Sequence, residues 1–399
     1  MLILHHLPEG IEKGKWRDTV EHLPSKDEDH DFAVAVFILP SPIDPQPFIF
    51  KDPPALEGPL ERNTILQNVQ KLFIGQLIGP ESFAVDKHGN LYTGTSDGKL
   101  WRIKEYDVSL VTYTGSNHSD CGSPAMESTC GRPKGMKFSS DGSLIVADAY
   151  KGLLRVNTEA GTVSTLVTGI NGKPFCFLNG LDIADDDKVY FTESTTKWQR
   201  NKVRYEIIET NNFGRVLEYD LHSGKMKTVL GGLYMANGVA LSQDQTFLLV
   251  AEMSVARITK YYLKGPNAGM RVVVNDNLPG YPDNIQLHNG GMFYVGIGAT
   301  RYQGQTFFKP FLDFMGPLPA MKRAVVKVTP MWAYDLFMSK HCIILEIDGN
   351  GNIVNSFHDP TGQVIGAASE AFRHEGKLYI GHYETPFVGV LDSKWVTVQ

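Results

Sequence analysis

Residues 79–103 read GPESFAVDKHGNLYTGTSDGKLWRI, and this stretch sets a pattern that returns along the whole chain. A short apolar run is followed by a turn rich in Asp, Asn and Gly, then an aromatic run, a second turn and a third run. Runs of Val, Ile, Leu, Tyr and Phe separated by such turns are typical of β-strands joined as hairpins. The stretch therefore predicts three consecutive antiparallel strands.

The same unit recurs five more times, at 131–156, 178–194, 236–263, 282–298 and 368–391. The residues that open the units are Glu81, Pro133, Asn179, Asn237, Asp283 and Ser369. A period of about 50 residues, with about four strands in each unit, is the sequence form of a β-propeller blade. We therefore predict an all-β fold, a six-bladed β-propeller.

The longest interval between units contains an insert, from about Arg301 to Lys340, that is rich in Phe, Met and Trp. We expect a mixed helical and loop insert in blade five, with AVVKV at 324–328 as the next strand of that blade. The insert is then either a lid over the ligand channel, a surface that touches a membrane or partner, or a hydrophobic excursion packed on the propeller.

The first 59 residues differ in character from the rest of the chain. An apolar run at 32–39 is far shorter than the roughly 20 residues of a membrane-spanning helix, and a proline-rich stretch follows it. We therefore divide the chain into a lead-in, 1–59, that is a remnant of a membrane-anchor region and stalk, and a propeller, 60–399. Within the propeller, Thr64–Leu77 is predicted to supply a strand beside the C-terminal strand and so to close the ring.

Charge and cysteine content limit the function classes. The 38 basic and 44 acidic residues give a net charge of −6, without a long basic block, so a nucleic-acid partner is not expected. Cys121 and Cys130 bracket a turn-rich loop in which a disulfide is plausible, and Asn117 begins an N-glycosylation sequon. Together they suggest the secretory pathway. The alternative is a chance sequon and two reduced cysteines, while Cys176 and Cys342 are predicted to be core thiols.

Polar residues at the start of the inner strands predict the functional site. In a propeller these strands surround one central channel, so their first residues face a common point. The predicted set is Glu81, Asn179, Asn237, Asp283 and Asn284. Carboxylate and amide oxygens are hard ligands that suit Ca²⁺ rather than Zn²⁺. Each residue also has a simpler explanation, because Asn and Asp often cap turns next to strands.

The motifs CGRPKGMKF, ADAYKGL, FTESTTKWQR, VAEMSVARITKYYL and PGYPDNI resemble the adipocyte plasma-membrane-associated and strictosidine-synthase-like family, from about Pro42 to the C-terminus. More distantly the chain resembles paraoxonases and gluconolactonases. The resemblance implies a six-bladed propeller with Ca²⁺ on the five residues named above and a Cys121–Cys130 bridge. It also implies calcium-dependent hydrolysis of a small ester or lactone, with Asp283 and Glu81 as catalytic carboxylates.

Two departures from these relatives shape the functional hypothesis. Strictosidine synthases carry a glutamate where this chain has Ser369, and we expect Glu370 to face away from the channel, so amine-aldehyde condensation is disfavoured. The paraoxonase catalytic histidine has no counterpart among Asp148, Ala149 and Tyr150, and His374 is expected to face solvent. The alternative function is therefore a luminal or cell-surface glycoprotein, with membrane association through an altered N-terminal anchor, in which Ca²⁺ only stabilises the fold.

Overall fold

The computed structural model describes residues 39–302, 310–330, 334 and 338–396. Six four-stranded sheets follow one another along the chain, which confirms the predicted six-bladed β-propeller. Blade one contains β2 Phe83–Val85, β3 Leu91–Gly94, β4 Lys99–Lys104 and β5 Asp107–Tyr113; blade two contains β6 Pro133–Phe138, β7 Leu144–Asp148, β8 Gly152–Asn157 and β9 Thr162–Val167. Blade three contains β12 Phe177–Ile183, β13 Lys188–Thr195, β14 Gly214–Asp220 and β15 Met226–Leu233; blade four contains β16 Ala236–Leu241, β17 Phe247–Glu252, β18 Arg257–Tyr262 and β19 Arg271–Asn275. Blade five contains β20 Gly280–His288, β21 Met292–Thr300, β22 Cys342–Ile347 and β23 Ile353–Asp359; blade six contains β24 Glu370–His374, β25 Lys377–Gly381 and β26 Val388–Asp392.

The ring is closed by an N-terminal strand, as the sequence predicted. Strand β1, Gln70–Leu72, pairs antiparallel with β26, so that Leu72 lies opposite Val388. This makes β1 the outer strand of blade six and joins the two ends of the propeller. A short ribbon of β10, Gly169–Ile170, and β11, Lys173–Pro174, links blades two and three.

Hairpin turns follow the Asp and Gly pattern read from the sequence. In blade one, Asp86 Oδ1 accepts from the backbone N–H groups of His88 and Asn90, both at 2.9 Å. Gly89 completes the turn with φ of 81°, a conformation that favours glycine. The turn chemistry therefore accounts for the recurrence of Asp and Gly between the strands.

The apolar core is divided among the six junctions between neighbouring blades. Each junction contains its own cluster of buried side chains, such as Tyr92 with Leu144 between blades one and two and Tyr294 with Ile344 and Leu378 between blades five and six. The central part of every blade is therefore buried on both faces, which explains why strands such as β7, β13 and β22 are buried along almost their entire length, whereas outer strands such as β5 and β9 are partly exposed.

Within the described ranges, four helices lie outside the sheets: α1 Glu127–Cys130, α2 Val203–Glu209, α3 Phe311–Met315 and α4 Pro319–Val328. Short 3₁₀ turns occur at Gly58–Leu60, Ile65–Asn68, Arg200–Lys202, Met253–Val255, Asn289–Gly291 and Ser393–Trp395. None of the helices in the described ranges is long and apolar enough to cross a bilayer. The apolar run at 32–39 falls almost wholly outside the described residues.

The insert of blade five is helical, as expected, but its predicted strand is wrong. AVVKV lies in α4, and the third strand of the blade is instead β22, Cys342–Ile347. Pro319 occupies the first turn of α4, where its fixed φ favours a helix start, and Ala320 and Met321 are good helix formers. β-branched residues inside such a segment do not make a strand unless a sheet edge is available to them.

Candidate metal and active site in the central channel

The inner strands of four blades carry a β-bulge at the same place. In blade three, Leu178 pairs with Glu193 and Leu181 pairs with Phe191, so two residues of β12 face one residue of β13. The same register occurs in blades two, four and five, and the unpaired dipeptides there are Lys134-Gly135, Asn237-Gly238 and Asp283-Asn284. A bulge redirects a side chain out of the regular alternation of a strand. The first residue of each dipeptide borders the channel cavity.

Glycine follows the channel residue in three of these bulges because the next inner strand passes close to it. A Cβ on Gly238 would lie 2.4 Å from the backbone N of Ile285, and Gly135 and Gly180 are approached as closely by the backbone of their neighbouring blades. The repeated dipeptides Lys-Gly and Asn-Gly thus encode both the side chain that enters the channel and the close packing of the blades around it.

Five side chains from five blades border one cavity in the channel: Glu81, Lys134, Asn179, Asn237 and Asp283. All five are buried. We call them the channel ring. Four of the five predicted metal ligands are therefore brought together.

The fifth predicted ligand, Asn284, is buried behind the cavity wall. Its Nδ2 donates to the backbone O of Glu81 at 3.4 Å, and its backbone N donates to the backbone O of Ser369 at 3.0 Å. Its observed contacts are therefore those of a residue that joins blade five to blades one and six.

The alignment of the units misplaced the blade-two member by one residue. Pro133 was taken as the residue that opens the inner strand, but Lys134 is the one that borders the channel. The cause is the bulge, because Pro133 still pairs with Asp148 in the ladder and only the next residue is turned inward. Comparing the dipeptide Lys134-Gly135 with Asn179-Gly180 would have identified the lysine.

Lys134 and Glu81 form an ion pair inside the ring. Lys134 Nζ donates to Glu81 Oε1, and Arg132 Nη2 lies 4.0 Å from Glu81 Oε2. Burial opposes ionisation of Glu81, but the positive charges of Lys134, Arg132 and Arg200 outweigh it and hold its pKa below the ordinary value. Glu81 is therefore a carboxylate whose charge is already compensated within the protein.

Asp283 has a different environment from Glu81. Burial raises its pKa above the ordinary range, the negative charge of Glu81 raises it further, and Lys134, Ser369 and Asn237 partly offset the rise. In the ring, therefore, the pKa of one carboxyl group, Glu81, is lowered and the pKa of the other, Asp283, is raised. Blade six contributes Ser369, whose side chain lies beside Asp283.

Each oxygen-bearing member of the ring has a buried oxygen without a hydrogen-bond partner in the described part of the chain. These atoms are Glu81 Oε2, Asn179 Oδ1, Asn237 Oδ1 and Asp283 Oδ1. The amide of Asn179 is fixed by its Nδ2, which donates to Ser194 Oγ at 3.1 Å, and Asn237 Nδ2 lies 3.4 Å from Met253 Sδ. Four unpartnered oxygens on one cavity are what a bound cation would satisfy, since buried acceptors are otherwise almost always paired.

The chemistry of these donors limits the kind of cation. The described residues contain no group of three or more His, Cys, Asp or Glu side chains placed to hold a metal. A cation in the ring would therefore rely on the amide oxygens of Asn179 and Asn237 together with the two carboxylates. An all-oxygen set fits Ca²⁺, which takes 6–8 oxygen ligands, and does not fit Zn²⁺.

Two further ionisable groups lie close behind the ring. Glu370 faces away from the cavity, as predicted, because its Oε1 accepts from the backbone N of Phe83 and from Gln286 Nε2, both at 3.1 Å. His382 is buried, and burial lowers its pKa to about 4, although Glu81 acts in the opposite direction. His382 is thus a neutral imidazole near Glu81, and no motif in the sequence pointed to it.

The positions considered for a catalytic histidine serve other purposes. Asp148 Oδ2 accepts from the backbone N of Arg132 at 2.7 Å, and Tyr150 Oη donates to Glu127 Oε2 at 2.7 Å. His374 Nε2 lies 3.0 Å from the backbone O of Gly89, away from the channel, and is only partly buried.

The cavity above the ring has a volume of about 480 Å³ and largely apolar walls. The side chains of Phe177, Met235, Met253, Ile207, Phe311 and Leu312 line it. Arg200, Lys202 and Arg204 also border it, on the segment that enters α2. Apolar walls with a few convergent polar groups at the floor are typical of a site for a small organic molecule.

Two inserts cover this cavity and form its lid. The first, in blade three, is α2 with the turn before it, whose Val203 and Ile207 pack against Phe177 and Met235. The second is the blade-five insert, whose Phe311 packs against Tyr334 with ring centroids 5.0 Å apart. The blade-three insert was missed from the sequence, although its unit is longer than the units on either side.

The lead-in fastens the lid to the propeller. Ile43 is buried in one cluster with Ile208 of α2 and Val326 of α4. The backbone N of Asp44 donates to Glu209 Oε1 at 2.5 Å, and on the propeller side Asn277 Nδ2 donates to the backbone O of Asp52 at 2.8 Å. The described part of the lead-in is thus packed against the folded domain.

The disulfide prediction is confirmed, because Cys121 and Cys130 are bonded, with their Cα atoms 5.8 Å apart. Asn117 is exposed beside this bridge, as a glycosylation site must be. Cys342 is buried as predicted, but the prediction for Cys176 is wrong, since that thiol is only partly buried. Cys176 follows the ribbon of β10 and β11 at the edge of blade three rather than inside a strand.

Sequence comparisons place the chain among known proteins. The sequence model described as strictosidine synthase matches residues 179–266, and the one described as strictosidine synthase-like, N-terminal, matches residues 58–103. The chain is 40% identical over 366 residues to the adipocyte plasma membrane-associated protein of Gallus gallus, covering 91% of this chain and 87% of that one. It is 38% identical to the Homo sapiens protein of the same name, covering 89% and 85% of the two chains. It is also 37% identical to Protein STRICTOSIDINE SYNTHASE-LIKE 10 of Arabidopsis thaliana, covering 79% and 85%.

Solved structures with the same fold are much more distant in sequence. A gluconolactonase of Xanthomonas campestris superposes with a TM-score of 0.55 at 14% identity, covering 89% of this chain and 98% of that one. The calcium-binding protein regucalcin of Agrobacterium tumefaciens superposes with a TM-score of 0.52 at 11% identity, covering 80% and 92%. At this identity the likeness establishes the propeller fold alone.

Proposed function

The chain belongs to the family of the adipocyte plasma membrane-associated proteins, within the strictosidine-synthase-like group, and from that premise we propose that it is a calcium-dependent hydrolase of the arylesterase or lactonase type. Its substrate is a small, apolar ester or lactone that enters the central channel. One observation carries this proposal: an apolar cavity of about 480 Å³ ends on four buried oxygens that lack hydrogen-bond partners within the described ranges.

The channel ring supplies the cation site of this proposal. Glu81, Asn179, Asn237 and Asp283 would hold the ion, whereas Asn284 does not border the cavity. A bound Ca²⁺ would act as a Lewis acid toward the carbonyl group of the substrate.

The chain's own residues bind and orient the substrate. Phe177, Met235 and Met253 exclude water from the ester and favour an apolar acyl or aryl group. Glu81 and Asp283 both border the cavity with an unpartnered oxygen, and both are candidate catalytic carboxylates. Because Glu81 is bonded to Lys134, Asp283 is the better candidate for the general base or nucleophile. Lys134 Nζ lies at the same end of the cavity, where its positive charge would stabilise the negative charge that develops on the reacting oxygen.

The test is hydrolysis of aryl esters and lactones by the purified, secreted protein, with and without a chelator. We expect turnover that requires Ca²⁺ and that falls about 100-fold or more in Asp283→Asn, because the variant keeps an amide oxygen for the ion but loses the base. Asp141→Asn, at an exposed hairpin, is the matched control and should keep full activity. Activity that survives both the chelator and Asp283→Asn, or no activity with any substrate, contradicts the proposal.

A binding function is the second candidate, and one observation favours it: no histidine of the described chain lines the cavity. The ion would then only stabilise the blades against unfolding. Asp283→Asn distinguishes the two functions. If the wild type has no turnover and the variant loses Ca²⁺ binding and thermal stability together, the result supports the structural role.

We also propose that the propeller lies in the secretory pathway, luminal or extracellular, and associates with a membrane through the N-terminal region. The Cys121–Cys130 bridge and the exposed sequon at Asn117 support this location. The test uses the secreted protein described above. Its mass should fall on enzymatic deglycosylation. Four free thiols and an unmodified Asn117 would contradict the location.

A further inference from the structure

The channel ring contains one cationic side chain, Lys134, among members that otherwise carry oxygen ligands. Blades one, three, four and five direct carboxylates or amides into the cavity, whereas blade two directs an ammonium group to the same level. Lys134 is 4% exposed and donates to Glu81 Oε1, which is 2% exposed. A lysine buried this completely in a cavity of acceptors is rare unless it is paired.

The charges of the ring are already close to balance without any ion. Glu81 and Asp283 are its two carboxyl groups, and the facing positive charges are Lys134 and, 4.0 Å from Glu81 Oε2, Arg132. A divalent ion that binds the unpartnered Glu81 Oε2 comes next to the ammonium of Lys134, which is bonded to Oε1 of the same carboxylate. Like charges at such separations repel strongly where water is excluded.

We infer that Lys134 is an internal cation that competes with a divalent cation for Glu81 and thereby sets the affinity of the channel ring. This inference rests on the cation site proposed above. The ammonium stabilises the two buried carboxyl groups when no ion is bound, so the fold does not depend on the ion. Binding requires Lys134 Nζ to move away from Glu81 into the cavity. The Phe177 ring, whose centroid lies 5.9 Å from Nζ while the lysine is still bonded to Glu81, is an aromatic face toward which the ammonium can turn.

The affinity of the ring is consequently lower than its oxygen set alone would give. The ring should fill at the high Ca²⁺ concentrations outside cells and remain empty at the low concentrations inside them. The matching substitution is Lys134→Asn, because blades three and four already carry Asn followed by Gly at this position.

The experiment is calorimetric titration of the full chain with Ca²⁺, together with thermal unfolding in Ca²⁺ and in chelator. We expect Lys134→Asn to bind Ca²⁺ at least tenfold more tightly than wild type and to show a larger rise of the midpoint temperature on adding Ca²⁺. Lys134→Met is the second variant and should behave similarly. Lys137→Met is the matched control, since Lys137 lies on the same strand but pairs with Asp182 outside the cavity.

The outcomes separate this inference from the site on which it rests. If wild type binds Ca²⁺ and Lys134→Asn binds no more tightly, the competition is refuted while the site stands. If neither wild type nor the variants bind, both are refuted. If the variants do not fold, the wild type alone tests the inference. Its midpoint temperature in chelator should equal its midpoint temperature at micromolar Ca²⁺. A large drop of the midpoint temperature in chelator would overturn the inference.

Discussion

The channel ring shows how much of a site is encoded residue by residue. Asn179, Asn237 and Asp283 open equivalent strands, and from that position alone their convergence was predicted. Lys134 was missed, because the alternation of a strand does not reveal a bulge and an ammonium group is not a metal ligand. The pairing of Lys134 with Glu81 joins residues 53 positions apart in the chain, so the charge balance depends on the fold.

Glu206, in the lid helix α2, has a predictable effect on stability. It is fully buried, and neither carboxylate oxygen has a hydrogen-bond partner in the described part of the chain. Burial raises its pKa to about 8. Between the ordinary pKa and about 8 the folded state holds a proton that the unfolded state has lost, so this group makes the protein less stable as pH rises through that window.

We therefore expect Glu206→Gln to unfold at a higher temperature than wild type at pH 8 and at nearly the same temperature at pH 5. The change in unfolding free energy between these two pH values should be on the order of 2 kcal/mol smaller in the variant. Glu209→Gln, on the same helix, is the control. It should be destabilised at every pH, because Glu209 accepts on both oxygens, from Asp44 N and Lys197 Nζ on Oε1 and from Trp198 Nε1 on Oε2, and a glutamine has only one acceptor oxygen.

At the scale of elements, strands within the repeats were predictable and the inserts were not. Each repeat carries its own turn chemistry and apolar runs, so local sequence determines the hairpins. The strand assigned to AVVKV was wrong because tertiary context decides whether β-branched residues pair. Helix α2 was missed because its apolar residues face two partners, Phe177 below and Ile43 above, and neither is close in sequence.

Strand β1 and the lead-in should contribute differently to the fold. A chain that starts at residue 80 should be insoluble, because β26 loses its outer partner and Leu66 and Leu77 leave the core. A chain that starts at residue 51 should remain soluble but unfold at a temperature lower by about 5 °C, since the lid loses Ile43 and the bond from Asp44.

Solubility and thermal unfolding of the two shortened chains, beside one that starts at residue 39, provide the measurement. Equal stability of the chains that start at 39 and 51 would show that the lead-in does not fasten the lid. A soluble, cooperatively unfolding chain from residue 80 would show that the ring closes without β1.

At the scale of the whole molecule, the candidate site arises from the radial arrangement of six similar blades. Five of the six blades bring one side chain each to the same cavity, so a site with two carboxyl groups, two amides and an ammonium arises from residues that are far apart in the sequence. The repeats made the convergence predictable. The lid and the apolar walls were only partly predictable, because they are built by inserts whose positions depend on packing over the completed ring.

The most direct measurement is a crystal structure of the wild-type protein grown with saturating Ca²⁺. The account predicts one ion in the channel, with oxygens of Glu81, Asn179, Asn237 and Asp283 at about 2.3–2.6 Å from it and with Lys134 Nζ displaced from Glu81. A channel without an ion and with Lys134 still bonded to Glu81, or an ion bound only elsewhere on the protein, would contradict it.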